Sequence, residues 1–175
     1  MIAVIRKARE DEAELLSRLS LESKQYWNYP QAYFDIWNAE LQISRDYIAE
    51  NDVWVFVDRG EKLAFCSMVH LEHDMDAGPC VLKRGYWLDH LFVLPAYIGR
   101  SIGRQLFEHL ATVCRTNRIE MFSILADPNS RGFYERMGCA YIREVASSIP
   151  GRTTPLLKFI TDSSQAGKPR QLSSL

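Results

Sequence analysis

The stretch Leu91-Phe92-Val93-Leu94-Pro95-Ala96-Tyr97-Ile98-Gly99-Arg100-Ser101-Ile102-Gly103-Arg104 sets a small-residue turn between a β-rich run and a helical one. A helix starting there presents unpaired backbone N–H groups and the positive end of its macrodipole. Gly99 and Gly103 leave out Cβ atoms that would hold an anion away. The chemistry this suits is the holding of a pyrophosphate. Glycines four apart also let a helix pack closely on a sheet, so both readings stand on spacing alone. Neither the dinucleotide order GxGxxG nor a Lys followed by Ser or Thr after the second glycine is present. Upstream, Asp89 and His90 place a carboxylate and an imidazole side by side, groups suited to moving a proton near neutral pH. Glu72 and His73 form a second such pair.

Elements must position these groups. Met1 to Ala8 predicts a short strand, and after Arg9-Glu10-Asp11-Glu12 the residues Ala13, Leu15, Leu16 and Leu19 recur at helical spacing. Pro30 predicts the start of a second helix with Tyr33, Phe34, Trp37 and Leu41 along one face. Between the two lies the aromatic joint Tyr26-Trp27-Asn28-Tyr29. Asp52 to Asp58 and Lys62 to Leu71 predict an antiparallel hairpin turned at Arg59-Gly60-Glu61, followed by a loop from Asp74 to Gly85. Tyr86 to Leu94 is a further strand, stopped by Pro95. Ile102, Leu106, Leu110 and Val113 then mark the most regular helix of the chain. Met121 to Ala126 predicts a strand. Asp127-Pro128 supplies an N-cap and a first-turn proline for a helix of about ten residues, ended at Gly138. Tyr141 to Val145 and Leu156 to Thr161 close the domain as strands around the turn-rich Ser147 to Pro155, and residues 162–175 are expected as a frayed tail. This order predicts one mixed α/β domain over 1–161 with a central sheet.

Composition narrows the function. With 175 residues, 47% hydrophobic and 25% charged, the chain suits a single soluble domain that buries about 70% of its unfolded surface without staples. Lys plus Arg number 21 and Asp plus Glu 22, so the net charge of -1 supplies no field toward nucleic acid or an anionic membrane. No apolar run approaches the roughly 20 residues of a membrane span, and charge from Arg6 onward interrupts any leader pattern, so a cytoplasmic protein is expected. Cys66, Cys80, Cys114 and Cys139 form no CxxC pair and lie in apolar stretches, which indicates neither zinc nor a disulfide framework.

Two segments resemble the GNAT superfamily of acyl-CoA-dependent N-acyltransferases. Val93-x-Pro95-x-Tyr97-x-Gly99-x-x-Ile102-Gly103 is similar to the strand-to-helix motif that cradles the coenzyme A pyrophosphate. Asp127-Pro128-Asn129-Ser130-Arg131-Gly132-Phe133-Tyr134-Glu135-Arg136-Met137-Gly138 is similar to the later helix ending in Phe-Tyr-Glu-x-x-Gly. Their separation by one helix and one strand matches the family order. The resemblance implies a mostly antiparallel central sheet flanked by helices, and acetyl-CoA as co-substrate.

Site roles follow from the resemblance. Ile98, Gly99, Arg100, Ser101, Ile102, Gly103 and Arg104 would meet the pyrophosphate, and Leu91, Phe92 and Val93 would pair with the pantetheine arm like an added strand. Amides near Phe92 or Val93 would stabilise the oxyanion, and Tyr134 would protonate the departing thiolate. An amine with a pKa near 10 must lose a proton before it attacks. Asp89 and His90 are the candidate bases, although strand alternation sends them to opposite faces unless a bulge intervenes. The chain departs from the family pattern at Ile98 and Ser101, where Gln or Arg and a glycine are usual, and at Asp127, where asparagine is usual. Asp127 is better suited to capping its helix, which leaves Asn129 as the nearer amide for the coenzyme.

Substrate choice in the family belongs to the first two helices and the closing strands, here Tyr26, Trp27, Tyr29, Tyr33 and Trp37 with the turn Ser147 to Arg152. The aromatic rings read either as a lid over an amine or as core between helices and sheet, and Arg152 reads either as a contact for an acidic group on the substrate or as a solvated turn residue. The expected function is acetyl transfer from acetyl-CoA to a primary amine of a small molecule or a protein, with no nucleic acid, membrane or metal involved. A homodimer is left open. The alternatives are a non-catalytic acyl-CoA-binding or partner-binding module on the same scaffold, and a nucleotide-binding domain of another fold.

Overall fold

A computed structural model describes residues 3–161. Residues 162–175, expected as a tail, and the first two residues of the opening strand lie outside them. The chain runs through β1 (Val4–Lys7), a single 3-10 turn at Glu10–Glu12, α1 (Ala13–Gln25), α2 (Gln31–Glu40), α3 (Arg45–Glu50), β2 (Asp52–Asp58), β3 (Glu61–Leu71) and the short pair β4 (Met75–Asp76) and β5 (Val81–Leu82). It continues through β6 (Gly85–Val93), α4 (Ile102–Thr116), β7 (Met121–Leu125), α5 (Arg131–Arg136), β8 (Ala140–Ala146) and β9 (Thr153–Ile160).

Seven strands form one sheet in the order β1-β2-β3-β6-β7-β9-β8. Neighbours are antiparallel except β6 and β7, which are parallel. Alternation along β3 feeds two cores. Ala64, Cys66 and Met68 pack beneath Leu106, Phe107 and Leu110 of α4, while Phe65 faces Leu16 and Leu19 of α1 and Ile48 of α3. The apolar stripe read from α4 is the one it buries, and Leu106 and Leu110 are fully enclosed. Truncating either to Ala would cost about 2–5 kcal/mol. A third, smaller cluster joins Phe34 and Trp37 of α2 to Ile149 in the turn between β8 and β9, which confirms the aromatic face expected after Pro30.

Three elements depart from expectation. α3 is six residues long, too short to show a period, and it starts because the Ser44 side chain accepts a hydrogen bond from the Tyr47 amide. The loop after β3 carries the two-residue strands β4 and β5. The helix expected after Asp127 divides into a 3-10 turn at Pro128–Ser130 and α5, and Gly138 ends it with φ +90° as predicted.

Candidate active site

The one parallel pair is barely a pair. β6 and β7 meet only at Trp87↔Ser123 and Leu88↔Ile124, whereas the opposite edge of β6 stays paired with β3 as far as Val93. From Asp89 onward, therefore, β6 offers an unpaired main-chain edge to an opening in the middle of the sheet. The Leu94 amide donates to the Leu63 carbonyl across the β3 edge. Alternation then turns Phe92 toward β3 as well, and aims the main-chain groups of Leu91 and Val93 into the opening.

One end of the opening is a cavity of about 810 Å³ lined by Leu91, Val93, Ile98, Gly99, Ser101, Ile102, Gly103, Arg104, Asn129 and Tyr134. The turn before α4 explains its amides. Ile98 and Arg100 spend theirs on the Pro95 and Tyr97 carbonyls at 3.3 Å, and the first helical bond is that from Gln105 to Ser101. The amides of Ser101, Ile102, Gly103 and Arg104 have no backbone acceptor among the described residues, which is what an anion needs at a helix start. Gly99 has φ +84°, while Ser101 occupies the left-handed region at φ +61°, which is why a glycine is usual there. A Cβ on Gly103 would meet Leu91 and Phe133 at 3.5 and 3.6 Å, which is ordinary contact distance, so the seating of α4 on the sheet does not by itself demand a glycine here. Arg100 stacks its guanidinium 5.0 Å from the Tyr97 ring and does not line the cavity.

The other end is a cavity of about 370 Å³ whose walls include Trp27, Trp37, Asp89, His90, Phe92, Asp127 and Arg152. Leu91 and Tyr134 line both cavities and mark their junction. Tyr134 is buried, yet its hydroxyl has no hydrogen-bond partner among the described residues and is not one of their enclosed, unpartnered atoms, so it opens onto the cleft. Burial pushes its phenol well above the ordinary value, so it keeps its proton at neutral pH.

Asp89 is an extra residue in the β6 ladder, since Ser67 faces His90 while Met68 faces Leu88. The bulge cancels alternation and brings both side chains to one place. His90 Nδ1 lies 2.9 Å from Ser67 Oγ, 3.0 Å from Tyr47 Oη and 3.1 Å from Asp89 Oδ2. Tyr47 donates to Asp89 at 2.6 Å and sits 2.7 Å from Ser67 Oγ. One arrangement satisfies every donor: Nδ1–H to Ser67, Ser67 to Tyr47, Tyr47 to Asp89. It leaves Nε2 as the acceptor, and that atom is not enclosed, so it meets the cavity. Burial opposes ionisation of Asp89, but His90 and the Tyr47 hydroxyl outweigh it and hold the carboxyl below the usual range. Burial and the Asp89 charge push the Tyr47 phenol far up.

Asp127 caps its 3-10 turn through the Asn129 amide at 3.0 Å, as expected, and also anchors a buried ion cluster. Its carboxylate accepts from Lys24 at 2.7 Å, Tyr29 at 2.7 Å and Arg152 at 3.2 Å. Burial raises the Asp127 pKa, yet Lys24 and these donors leave it below the ordinary value. Asn129 donates its side-chain amide to Tyr29 and Asp127, at 2.8 and 3.2 Å, so its polar end is engaged on this side although the residue lines the larger cavity. Tyr33 packs against Tyr29 and Trp37, and Tyr26 lies exposed edge-on to Trp27; neither lines a cavity. Glu72 and His73 are exposed and line neither cavity. The sequence analysis missed Tyr47, Ser67 and Lys24. Ser44 before an acidic first turn is the one local signal that marked the helix carrying Tyr47. Among the described residues no His, Cys, Asp and Glu group fits a metal, and the four cysteines are free.

A mixed sheet split at its parallel pair, with a helix start at the mouth of the split, is the architecture of acyl-CoA-dependent N-acyltransferases. The chain belongs to the GNAT family, because the family model for the acetyltransferase (GNAT) domain matches residues 49–138. It is 27% identical to the peptidyl-lysine N-acetyltransferase YjaB of Salmonella typhimurium over 165 residues, 91% of this chain and 99% of that protein. It is 28% identical to the peptidyl-lysine N-acetyltransferase YiaC of Escherichia coli over 108 residues, 61% of this chain and 64% of that one. Among solved structures, the PaiA N-acetyltransferase of Thermoplasma acidophilum in complex with coenzyme A shares the fold at TM-score 0.70 and 16% identity, covering 91% of this chain and 99% of that one. Apo YjaB from Escherichia coli does so at TM-score 0.60 and 21% identity, with 93% and 99% covered.

Proposed function

We propose that this chain transfers an acetyl group from acetyl-CoA to a primary amine of a small molecule or a protein. The observation that carries this is the continuity of the cleft. Unspent amides of Ser101 to Arg104, the free edge at Leu91 and Val93, the open Tyr134 hydroxyl and His90 lie along one path through the split sheet. The residues fit the co-substrate: the helix start takes a diphosphate, and the strand edge takes an extended amide-bearing arm.

Acetyl-CoA, when bound, supplies a thioester carbonyl open to attack by an amine. Phe92, one expected oxyanion donor, turns its amide to β3, so the negative charge that develops on the carbonyl oxygen is met by the main chain of Val93 or Leu91, which faces the opening. His90 Nε2 takes a proton from the incoming ammonium, with Nδ1 held by Ser67, Tyr47 and Asp89. The nitrogen–carbon bond forms and the carbon–sulfur bond breaks. Tyr134 protonates the sulfur and recovers a proton from the nitrogen, so one proton leaves through His90 and one ends on the thiol. A screen of amines for release of free thiol, with the acetylated product identified by mass, tests this. Thiol release matched by acetylated amine is expected; coenzyme A binding with no release across the panel overturns it.

A further inference from the structure

Lys24, Asp127 and Arg152 form a wall of the smaller cavity, with side chains only 12, 9 and 11% exposed. Two cations share one carboxylate. Five donors already crowd the two oxygens of Asp127: Lys24 Nζ, Arg152 Nη2, Tyr29 Oη and both nitrogens of Asn129. A carboxylate has about four lone-pair sites, so no capacity remains there for a substrate ammonium. The unspent groups of Lys24 and Arg152 are all donors. Arg152 uses only Nη2 toward the described residues, and its Nε and Nη1 are not among the enclosed, unpartnered atoms, so they reach the cavity space. Lys24 spends one of its three hydrogens. Both cations are fixed over aromatic faces, Lys24 at 4.6 Å from the Trp37 ring and Arg152 at 5.3 Å from that of Tyr29. Glu40 and Asp89 line the same cavity; Glu40 accepts from Ser148 at 2.9 Å and contacts neither cation directly, although its charge favours the Lys24 ammonium. A guanidinium fork held in place with spare N–H groups is a receptor for a planar anion.

We propose that this wall is a carboxylate subsite, and that the acceptor is a primary amine that itself carries a carboxylate, an amino acid or a compound built like one. The proposal rests on the acetyltransferase reading for the amine end of the acceptor. The anionic end is read from the cluster alone. His90 and Tyr134 stand in the same cavity as Arg152, so one small molecule spans both ends.

The test compares free amino acids with their carboxamides as acceptors, using the full chain and acetyl-CoA. Calorimetry of each preferred acid is run in parallel with coenzyme A present. The acids are expected to exceed their amides about tenfold or more in kcat/KM, as charge-assisted hydrogen bonds allow. That ratio is expected to fall toward one in Arg152→Gln and to recover in part in Arg152→Lys. Lys24→Met supplies a second, independent reduction, and coenzyme A affinity reports that each variant is folded. Amides as good as acids, or lysine peptides better than any free amino acid, overturn the proposal. If nothing is acetylated but an amino acid binds in an Arg152-dependent way, the subsite stands and the catalytic reading falls. If nothing is acetylated and no amino acid binds, the subsite falls too.

Discussion

Nδ1 of His90 lies 3.1 Å from Oδ2 of Asp89, although the two residues are neighbours on one strand. A regular strand sends adjacent side chains to opposite faces; the bulge at Asp89 brings them together under Tyr47. His90→Gln is therefore expected to lower kcat by about 10²–10⁴ with coenzyme affinity retained. Asp89→Asn and Tyr47→Phe each remove one member of the network that holds the ring, and are expected to lower kcat with coenzyme Kd unchanged. Unchanged kcat in both variants would remove the pair from positioning the base.

Tyr134 divides the two cavities and carries a hydroxyl that no described residue binds. Because burial raises its pKa, it stays protonated throughout the neutral range and can act as an acid there. Tyr134→Phe is expected to reduce thiol release by about 10²-fold or more while calorimetry gives a similar coenzyme A affinity. Equal turnover in the Phe variant would exclude the acid role.

The turn before α4 combines a cost with a function. Ser101 sits at φ +61°, a region that costs an L-residue about 1–2 kcal/mol relative to glycine. Ser101→Gly is expected to raise stability by about 1 kcal/mol, measured by denaturant unfolding, with coenzyme affinity equal or tighter because the amides are unchanged. Gly103→Val goes the other way. Its Cβ would already touch Leu91 and Phe133, and the branch would push α4 from the sheet or reach into the cavity. Coenzyme A affinity should fall more than the melting temperature does.

The parts of this site legible in the sequence are local ones. Gly99, Gly103 and Pro95 act within one turn, and α4 shows its period over fifteen residues, so the anion-holding helix start could be read directly. The open edge of β6 and the exposed hydroxyl of Tyr134 followed from family likeness rather than from spacing. What stayed hidden is tertiary. Tyr47 reaches Asp89 across 42 positions and Lys24 reaches Asp127 across 103, and no local period encodes such pairs. The bulge is one unpaired residue in a strand that reads as regular, and nothing local to the turn at Arg152 encodes its pairing with Asp127, 25 positions away.

Far from the cleft, Glu12 ties the first strand to the start of α1. Arg6 binds it through both guanidinium nitrogens at 2.6 and 2.9 Å, and the Arg9 amide donates to it at 2.9 Å. The Arg6 hydrogen bond, opposed by burial and helped by Arg9, brings the Glu12 carboxyl from 4.5 down to about 2. A depressed folded-state pKa gives stability that is fully present above the unfolded value and is lost as the pH falls through the folded one. At pH 7 the contribution is of the order of 2 kcal/mol, allowing for the part of Arg6 that solvent screens. Glu12→Gln is expected to lower stability by about that amount at pH 7 in urea unfolding. Its deficit relative to the parent should shrink as the pH is lowered from about 4.5 toward 2, because the parent carboxyl then also loses its charge. A deficit that stays constant over that range would assign the loss to packing and not to the ion pair.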